Sequence, residues 1–381
     1  MDFKKSIEQK NYDPVLLWTM LLLAGTGLIM VYSASVDVAA LKKALNFQSY
    51  YYLLRQAFNL ALASILGLIV FFIPINFWQK NSKLFFLFSF FLVSIVLIPG
   101  VGSEAKGATR WISLGFMNFQ PTELMKFAII IYTSDYVLRK SREIGEIKRG
   151  FLPIFVVVVL VGFIILSEKD LGALVVFAAI SFGILFLGGV SLKIILSILI
   201  TSPFALYGLI SVEQYRMDRL RSWLNPFDDF TGDGWQLGNS MIAFGRGDLF
   251  GVGLGESIQK LQYLPDAHTD FILAILAEEL GLFGVAIIIL IFMIMIVRIF
   301  GIAKESTKLR NHFSSLVAQG VGIWIGIQAI FNMGVNLGLF PTKGLTLPLI
   351  SYGGSALLMN IIALSVVLRV DYENKIKSRR N

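Results

Sequence analysis

Long stretches of the chain carry no charge at all. None falls between Asp13 and Asp37, between Arg55 and Lys80, or between Lys83 and Glu104. Further clean runs cover 150–167, 171–192, 194–212, 280–297, 311–342 (His312 apart) and 344–368. A bilayer-crossing helix needs about 20 mostly apolar residues, and nearly all of these runs supply them. The pattern predicts ten spans, near 15–35, 56–75, 83–101, 120–138, 151–167, 171–190, 192–211, 271–298, 313–337 and 346–368. The fourth is interrupted by Glu123, Lys126 and Asp135. Basic residues decide whether it counts, because Lys and Arg favour the inner side of a membrane. With the fourth span kept and the N-terminus inside, the basic clusters at 139–149, 298–310 and 369–380 all fall inside. Without it, 298–310 would fall outside. The expectation is an all-α polytopic membrane protein, one integral-membrane domain over 1–381, with cytoplasmic ends at 1–14 and 370–381. The first apolar run has no clear cleavage site after it and reads as a retained span.

Residues 212–270 make a long outward loop between the seventh and eighth spans. Acidic side chains outnumber basic ones there, nine to five, and eight aromatic residues accompany them. A loop of this length and content is expected to fold onto the bundle, partly helical or re-entrant, and to carry function.

Composition agrees with this picture. Of 381 residues 56% are hydrophobic and 15% charged, against roughly a quarter charged in soluble proteins. The net charge of +8 is mostly the topology signal just described, drawn to anionic inner-leaflet lipid, so nucleic acid is not an expected partner. Cysteine is absent, which excludes disulfides and thiolate metal sites.

Ionisable groups in or beside spans are costly and are functional candidates by default. Glu123 and Lys126 share a helical face at the outer end of span four; they could pair structurally or line an outward cavity. Arg110-Trp111 suits an interfacial anchor or a lipid-headgroup contact. Glu168-Lys169-Asp170 reads as a solvated turn. The glycines 245, 247, 251, 253 and 255 lack the strand and βαβ unit of a nucleotide loop and suit close turns in a re-entrant segment. Tyr263-Leu-Pro-Asp-Ala-His-Thr-Asp270 runs straight into an apolar helix. Thr269 or Asp270 could cap that helix; His268 and Asp270 could bracket a metal, although two ligands make a weak case. Glu278 and Glu279 could form salt bridges within the bundle. Pro341–Pro348 and Ser351–Ser355 suggest a broken helix bordering a cavity, in which Lys343 either snorkels or faces an anionic headgroup.

Taken together, these motifs resemble the SEDS family (shape, elongation, division and sporulation), and its cell-division branch in particular. The resemblance runs from about 15 to 375. It is carried by Gly107-Ala-Thr-Arg-Trp-Ile112, Phe119-Gln-Pro-Thr-Glu-Leu-Met-Lys126, Tyr215-Arg-Met-Asp-Arg-Leu220, Gly234-Trp-Gln-Leu237, Gln259-Lys260 through Ile272, and Pro341 through Ser355. The chain departs from the family pattern at Thr109, Lys169, Asn225 and Ala356. The resemblance implies a peptidoglycan glycosyltransferase that polymerises lipid II at the outer face of the inner membrane, beside a class B penicillin-binding protein and other division proteins at the septum. It implies an essential aspartate at Asp270. Arg110, Trp111, Glu123, Lys126, Lys260, His268 and Lys343 match motif positions expected around the same outward cavity.

The residues supply a mechanism of the right kind. An inverting transfer needs one base and, because the leaving group is a stabilised diphosphate, no strong acid. Asp270 is the expected base; Arg110, Lys126, Lys343, Arg216 and Lys260 are candidate cations for the diphosphate. No resident cofactor is assigned, with a divalent cation (Mg or Mn) the one candidate and its ligands unknown. The alternatives are a lipid II flippase, an elongation-type polymerase of the same family, and a scaffold.

Overall fold

The computed structural model describes residues 12–41, 48–105, 108–115, 117–228, 230, 232 and 234–380. Most of the expected inner N-terminal segment, and Gly107, Asp229 and Asp233 of the motifs and outer loop, lie outside the described residues.

Helix α1 (Pro14–Leu41) begins where Asp13 accepts a hydrogen bond from the Leu16 amide at 2.9 Å. The other carboxylate oxygen of Asp13 takes Arg298 Nε, also at 2.9 Å, so one buried aspartate both caps α1 and ties it to a later helix. Helices α2 (Tyr51–Phe72), α3 (Ile75–Lys80) and α4 (Ser82–Ile95) follow. Next come three short antiparallel strands, β1 (Gly102–Ala105), β2 (Ala108–Ser113) and β3 (Asn118–Phe119), with Ser103 opposite Trp111 and Ile112 opposite Phe119. This sheet departs from the all-α expectation: hydropathy at span length cannot see strands of two to six residues.

The remaining helices are α5 (Pro121–Arg139), α6 (Leu152–Ser167, entered through a π turn), α7 (Leu171–Leu187), α8 (Leu192–Ser211), α9 (Gln214–Leu224), α10 (Trp235–Gly247), α11 (Ile272–Lys308), α12 (His312–Asn336) and α13 (Gly354–Arg380). Among the described residues seven helical segments are long and apolar enough to cross a membrane, and α4 and α7 are shorter apolar helices. In α5 the charges that weakened the sequence pattern are neutralised inside the bundle. Lys126 meets Glu123, and Asp135 takes both the Ser82 hydroxyl (2.7 Å) and Arg139 (2.8 Å). The last helix starts at Gly354 rather than near 346, because 341–353 is an irregular strap with Leu349 at φ +64°.

The long segment between α8 and α11 is partly helical. Its glycine-rich part inserts into a break in α11 at Gly281 (φ +68°). The Val252 and Gly253 amides donate to the carbonyls of Glu278 and Glu279, at 2.9 and 3.1 Å. In return the amides of Leu282 and Phe283 donate to Asp248 and Leu249. A helix broken at membrane depth must have its freed backbone groups satisfied by protein, and this loop does so. A Cβ on Gly251 would lie 2.2 Å from the Glu279 carbonyl oxygen, so only glycine admits so close an approach.

Candidate functional site

A cavity of about 740 Å³ opens at one end of the bundle. Its walls come from the start of α2, β2 and β3, the first turn of α5, the α6–α7 turn, α9, α10, the approach to α11, and the 341–353 strap. The basic clusters at 139–149, 298–310 and 369–380 sit at the opposite ends of these helices.

Asp270 reaches this cavity half-buried, immediately before α11. Phe271, at the N-cap position, makes no side-chain cap bond, and Thr269 Oγ1 turns back to the Asp266 carbonyl. Two asparagines one turn apart on α12 hold the Asp270 backbone instead. Asn332 Nδ2 and Asn336 Nδ2 donate to its carbonyl at 2.8 and 2.9 Å. Asn332 Nδ2 also donates to the Leu345 carbonyl at 2.6 Å, and Asn336 Oδ1 accepts from the Ala274 amide. The same pair therefore fixes the Asp270 segment and the 341–353 strap relative to each other.

Lys343 lines the cavity on that strap. Burial, then the nearby positive charges of Arg219 and Arg216, hold its ammonium down at about 8. Its neighbour Gly344 touches the aspartate: a Cβ there would lie 3.2 Å from Asp270 Oδ2. A carboxylate and a desolvated cation thus face one chamber from adjoining segments.

Arg110 and Trp111 line the cavity from β2. Arg110 is largely engaged, donating from Nε to the Glu168 carbonyl (3.1 Å) and from Nη2 to the Lys169 carbonyl (2.6 Å), with Asp170 at 3.6 Å. It straps the α6–α7 turn, where Lys169 sits at φ +61° and Asp170 caps α7 through the Ala173 amide. This turn is no solvated charge run. Glu168 is buried, accepts from Thr122 Oγ1 at 2.7 Å, and is pushed up to about 8, chiefly by desolvation.

Glu123 lines the cavity, and Lys126 lies beneath it, fully buried. The ammonium binds Glu123 Oε1 at 2.7 Å and Gln328 Oε1 at 3.0 Å, over the Trp324 ring. Gln328 Nε2 in turn donates to the Thr346 carbonyl. Lys126 therefore supports the floor and the strap rather than presenting a cation to the chamber.

Besides Lys126, three more expected residues are not on the cavity wall. Lys260 is buried elsewhere, bound to Glu279 Oε1 at 2.9 Å and to Ser33 at 3.3 Å, where it pins the inserted loop to α11 and α1. Beside it Glu278 accepts the amides of Ile258 and Gln259. His268 packs its ring between Tyr52 and Tyr352, at 4.5 and 5.6 Å. Arg216 is buried, donates to the Leu209 carbonyl, and bears on Lys343 through its charge. In the other direction, the cavity recruits residues that the motifs did not single out as site candidates. Arg55, Arg219, Gln328 and Asp266 line it, and Asn332 and Asn336 brace it. Among the described residues no three His, Cys, Asp or Glu side chains gather into a metal-binding group.

Comparison with known proteins is consistent across sequence and structure. The family model for FtsW, RodA and SpoVE, described as cell cycle protein, matches residues 14–376. A probable peptidoglycan glycosyltransferase FtsW from Nitrosomonas europaea is 48% identical over 371 residues, covering 97% of this chain and 95% of that one. Its namesake from Aromatoleum aromaticum is 47% identical over 364 residues, covering 96% and 89%. Among solved structures, a chain of a peptidoglycan synthase complex, studied for its coordination of polymerization and crosslinking, superposes with a TM-score of 0.76 at 25% identity. It covers 95% of this chain and 98% of that one. The rod shape determining protein RodA of Thermus thermophilus shares the fold, with a TM-score of 0.67 at 23% identity, over 95% and 97%.

Proposed function

The chain belongs to the FtsW/RodA/SpoVE family of cell cycle proteins, and from that premise we propose that it polymerises lipid II into glycan strands in the cavity around Asp270. It is a peptidoglycan glycosyltransferase of the division type, embedded in the membrane by many helices. Ten of its helices span the bilayer in this reading, with both termini cytoplasmic and the 212–270 loop and cavity outside. The septum is its place of work, and a class B penicillin-binding protein is its transpeptidase partner.

One observation carries the mechanism: Asp270 and Lys343 line the same chamber from segments in contact at Gly344. Asp270 accepts the proton from the 4-hydroxyl of the acceptor sugar. The freed oxygen bonds to the anomeric carbon of the donor, and the bond from that carbon to the diphosphate breaks with inversion. The departing electron pair goes to the diphosphate, which needs a fixed cation and no acid. Lys343 supplies that charge from a site with little water, where it acts at short range. Asp266 and Asp270 both line the cavity, which suits a magnesium or manganese ion arriving with the diphosphate. Such ions are held by one or two carboxylates, phosphate oxygens and water. The ion would neutralise diphosphate charge.

The experiment is incubation of purified protein with lipid II, with and without the transpeptidase, in detergent and in vesicles. Glycan chains support the polymerase. Transbilayer movement without polymer would make it a flippase.

A further inference from the structure

Arg110, a candidate cation for the diphosphate, is committed to the protein itself. Its Nε and Nη2 donate to the Glu168 and Lys169 carbonyls, and Nη1 lies 3.6 Å from Asp170. The residue held in place by these bonds is the one that this wall offers to a ligand. Lys169 lines the cavity from the α6–α7 turn and is exposed. Its amide donates to the Leu166 carbonyl at 2.9 Å, so its backbone is fixed from both sides. It sits at φ +61°, a conformation that crowds a Cβ and that glycine adopts freely. A lysine kept there against that cost points to a use for its side chain.

The acids beside it serve other partners. Glu168 is buried and accepts from Thr122 Oγ1 at 2.7 Å. Asp170 takes the Ala173 amide at 3.0 Å and Gln120 Nε2 at 3.2 Å. Among the described residues the Lys169 ammonium has no ion pair and no side-chain hydrogen bond. Nor is its charge one of those that shape the Lys343 site. The charges that bear most on Lys343 are those of Arg219, Arg216, Asp170 and Arg110.

Lipid II is anionic in two places, at the diphosphate next to its tail and at the carboxylates of the peptide on its muramic sugar. The diphosphate calls for a cation with little water around it, and Lys343 is such a cation. A carboxylate on a flexible peptide keeps its water and pairs with an exposed ammonium. Resting on the polymerase reading, we propose that Lys169 binds a carboxylate of that peptide. The cavity then prefers lipid II with a free-acid peptide over the same lipid with its peptide carboxylates amidated.

The test is equilibrium binding of the two forms of lipid II, free-acid and amidated, to purified protein in uncharged detergent, with glycan chains assayed in the same samples. Wild type, Lys169→Gly and Lys169→Arg are compared. An exposed ion pair corresponds to roughly a two- to fivefold difference in affinity. Wild type is expected to bind the free-acid form tighter by that factor, and Lys169→Arg to keep the preference. Lys169→Gly should bind both forms alike. It should also melt within about 2 °C of wild type, because glycine adopts this φ without strain. A preference that survives in folded Lys169→Gly would overturn the proposal, as would wild type binding both forms equally. Wild type that shows the preference and builds no chains would remove the polymerase reading and leave the carboxylate site standing.

Discussion

Asp270 and Gly344 are in contact across two segments far apart in sequence: a methyl group on Gly344 would sit 3.2 Å from Asp270 Oδ2. That spacing is tight enough to displace the carboxylate by a few tenths of an ångström. Gly344→Ala should slow polymerisation several-fold, and Gly344→Val about a hundredfold, since misplacement near 1 Å can cost that much. Thermal stability should stay within about 2 °C of wild type, because Gly344 is exposed and its surroundings are open enough to yield. A rate loss with an unchanged melting curve is the outcome to look for.

The asparagine pair gives a second prediction. Asn332→Leu removes donors from the Asp270 and Leu345 carbonyls, while Asn336 still holds the first. The Asp270 carboxylate loses its registration, so kcat should fall about tenfold or more with KM for lipid II within about twofold. Equal losses in both parameters would argue for general loosening of the cavity.

Lys343 predicts a pH dependence. Its folded-state pKa of about 8 lies below the ordinary 10.5, so the charged form is disfavoured by burial. Stability from the depressed pKa is present above the unfolded value and is lost as pH falls through about 8. At pH 7 the charged lysine therefore costs stability, and Lys343→Met should raise Tm at pH 7 while abolishing polymerisation. In wild type the rate should decline as pH rises through about 8 and the cation is lost. Melting curves and rates across pH 6.5–9.5 test both halves.

Glu168 has the opposite sense. Its pKa is raised from 4.5 to about 8, so its contribution is fully present below the unfolded value and is lost as pH rises through about 8. Glu168→Gln has no ionisation to suppress. Its Tm relative to wild type should therefore rise between pH 5 and pH 8.5. A difference that does not change with pH would show that the carboxyl ionises freely in the folded protein.

Lys260 tests a structural assignment. Breaking one side of a buried ion pair strands the other charge, at a cost of about 3–5 kcal/mol. Lys260→Met should therefore destabilise strongly through Glu279, and Lys260→Met with Glu279→Leu should recover much of the loss. If Lys260 bound substrate, the double variant would stay inactive after regaining its stability.

Much of this protein was legible in its sequence, for reasons that differ by element. Charge-free runs announced the apolar helices because lipid leaves a helix few alternatives for its backbone groups. The interrupted run expected as a span over 120–138 forms helix α5, and the structure shows why its charges are tolerable: each meets a buried partner. Motif order placed Asp270, Arg110, Trp111, Glu123 and Lys343 as site candidates, and these do line one cavity. Lys260 was indistinguishable from them, since a buried ion pair and a phosphate ligand leave the same lysine in the sequence. Its partner Glu279 was visible, but nothing in the spacing joined the two. Arg110 likewise showed its position and not its occupation with the 168–170 turn. The braces Asn332 and Asn336 carry no charge and sit inside an apolar run. Only their four-residue spacing, two polar amides on one face of an otherwise apolar helix, could have marked them. The short sheet was invisible at the length scale of membrane spans.

The direct measurement is polymerisation of lipid II by purified Asp270→Asn protein beside wild type, each with the transpeptidase and each shown to be folded by its melting curve. Asparagine keeps the shape and the backbone contacts and removes the basic oxygen. Wild type should build glycan chains and Asp270→Asn none, with partner binding and stability intact. Chains of ordinary length and rate from the folded variant would contradict the assignment of Asp270 as the base.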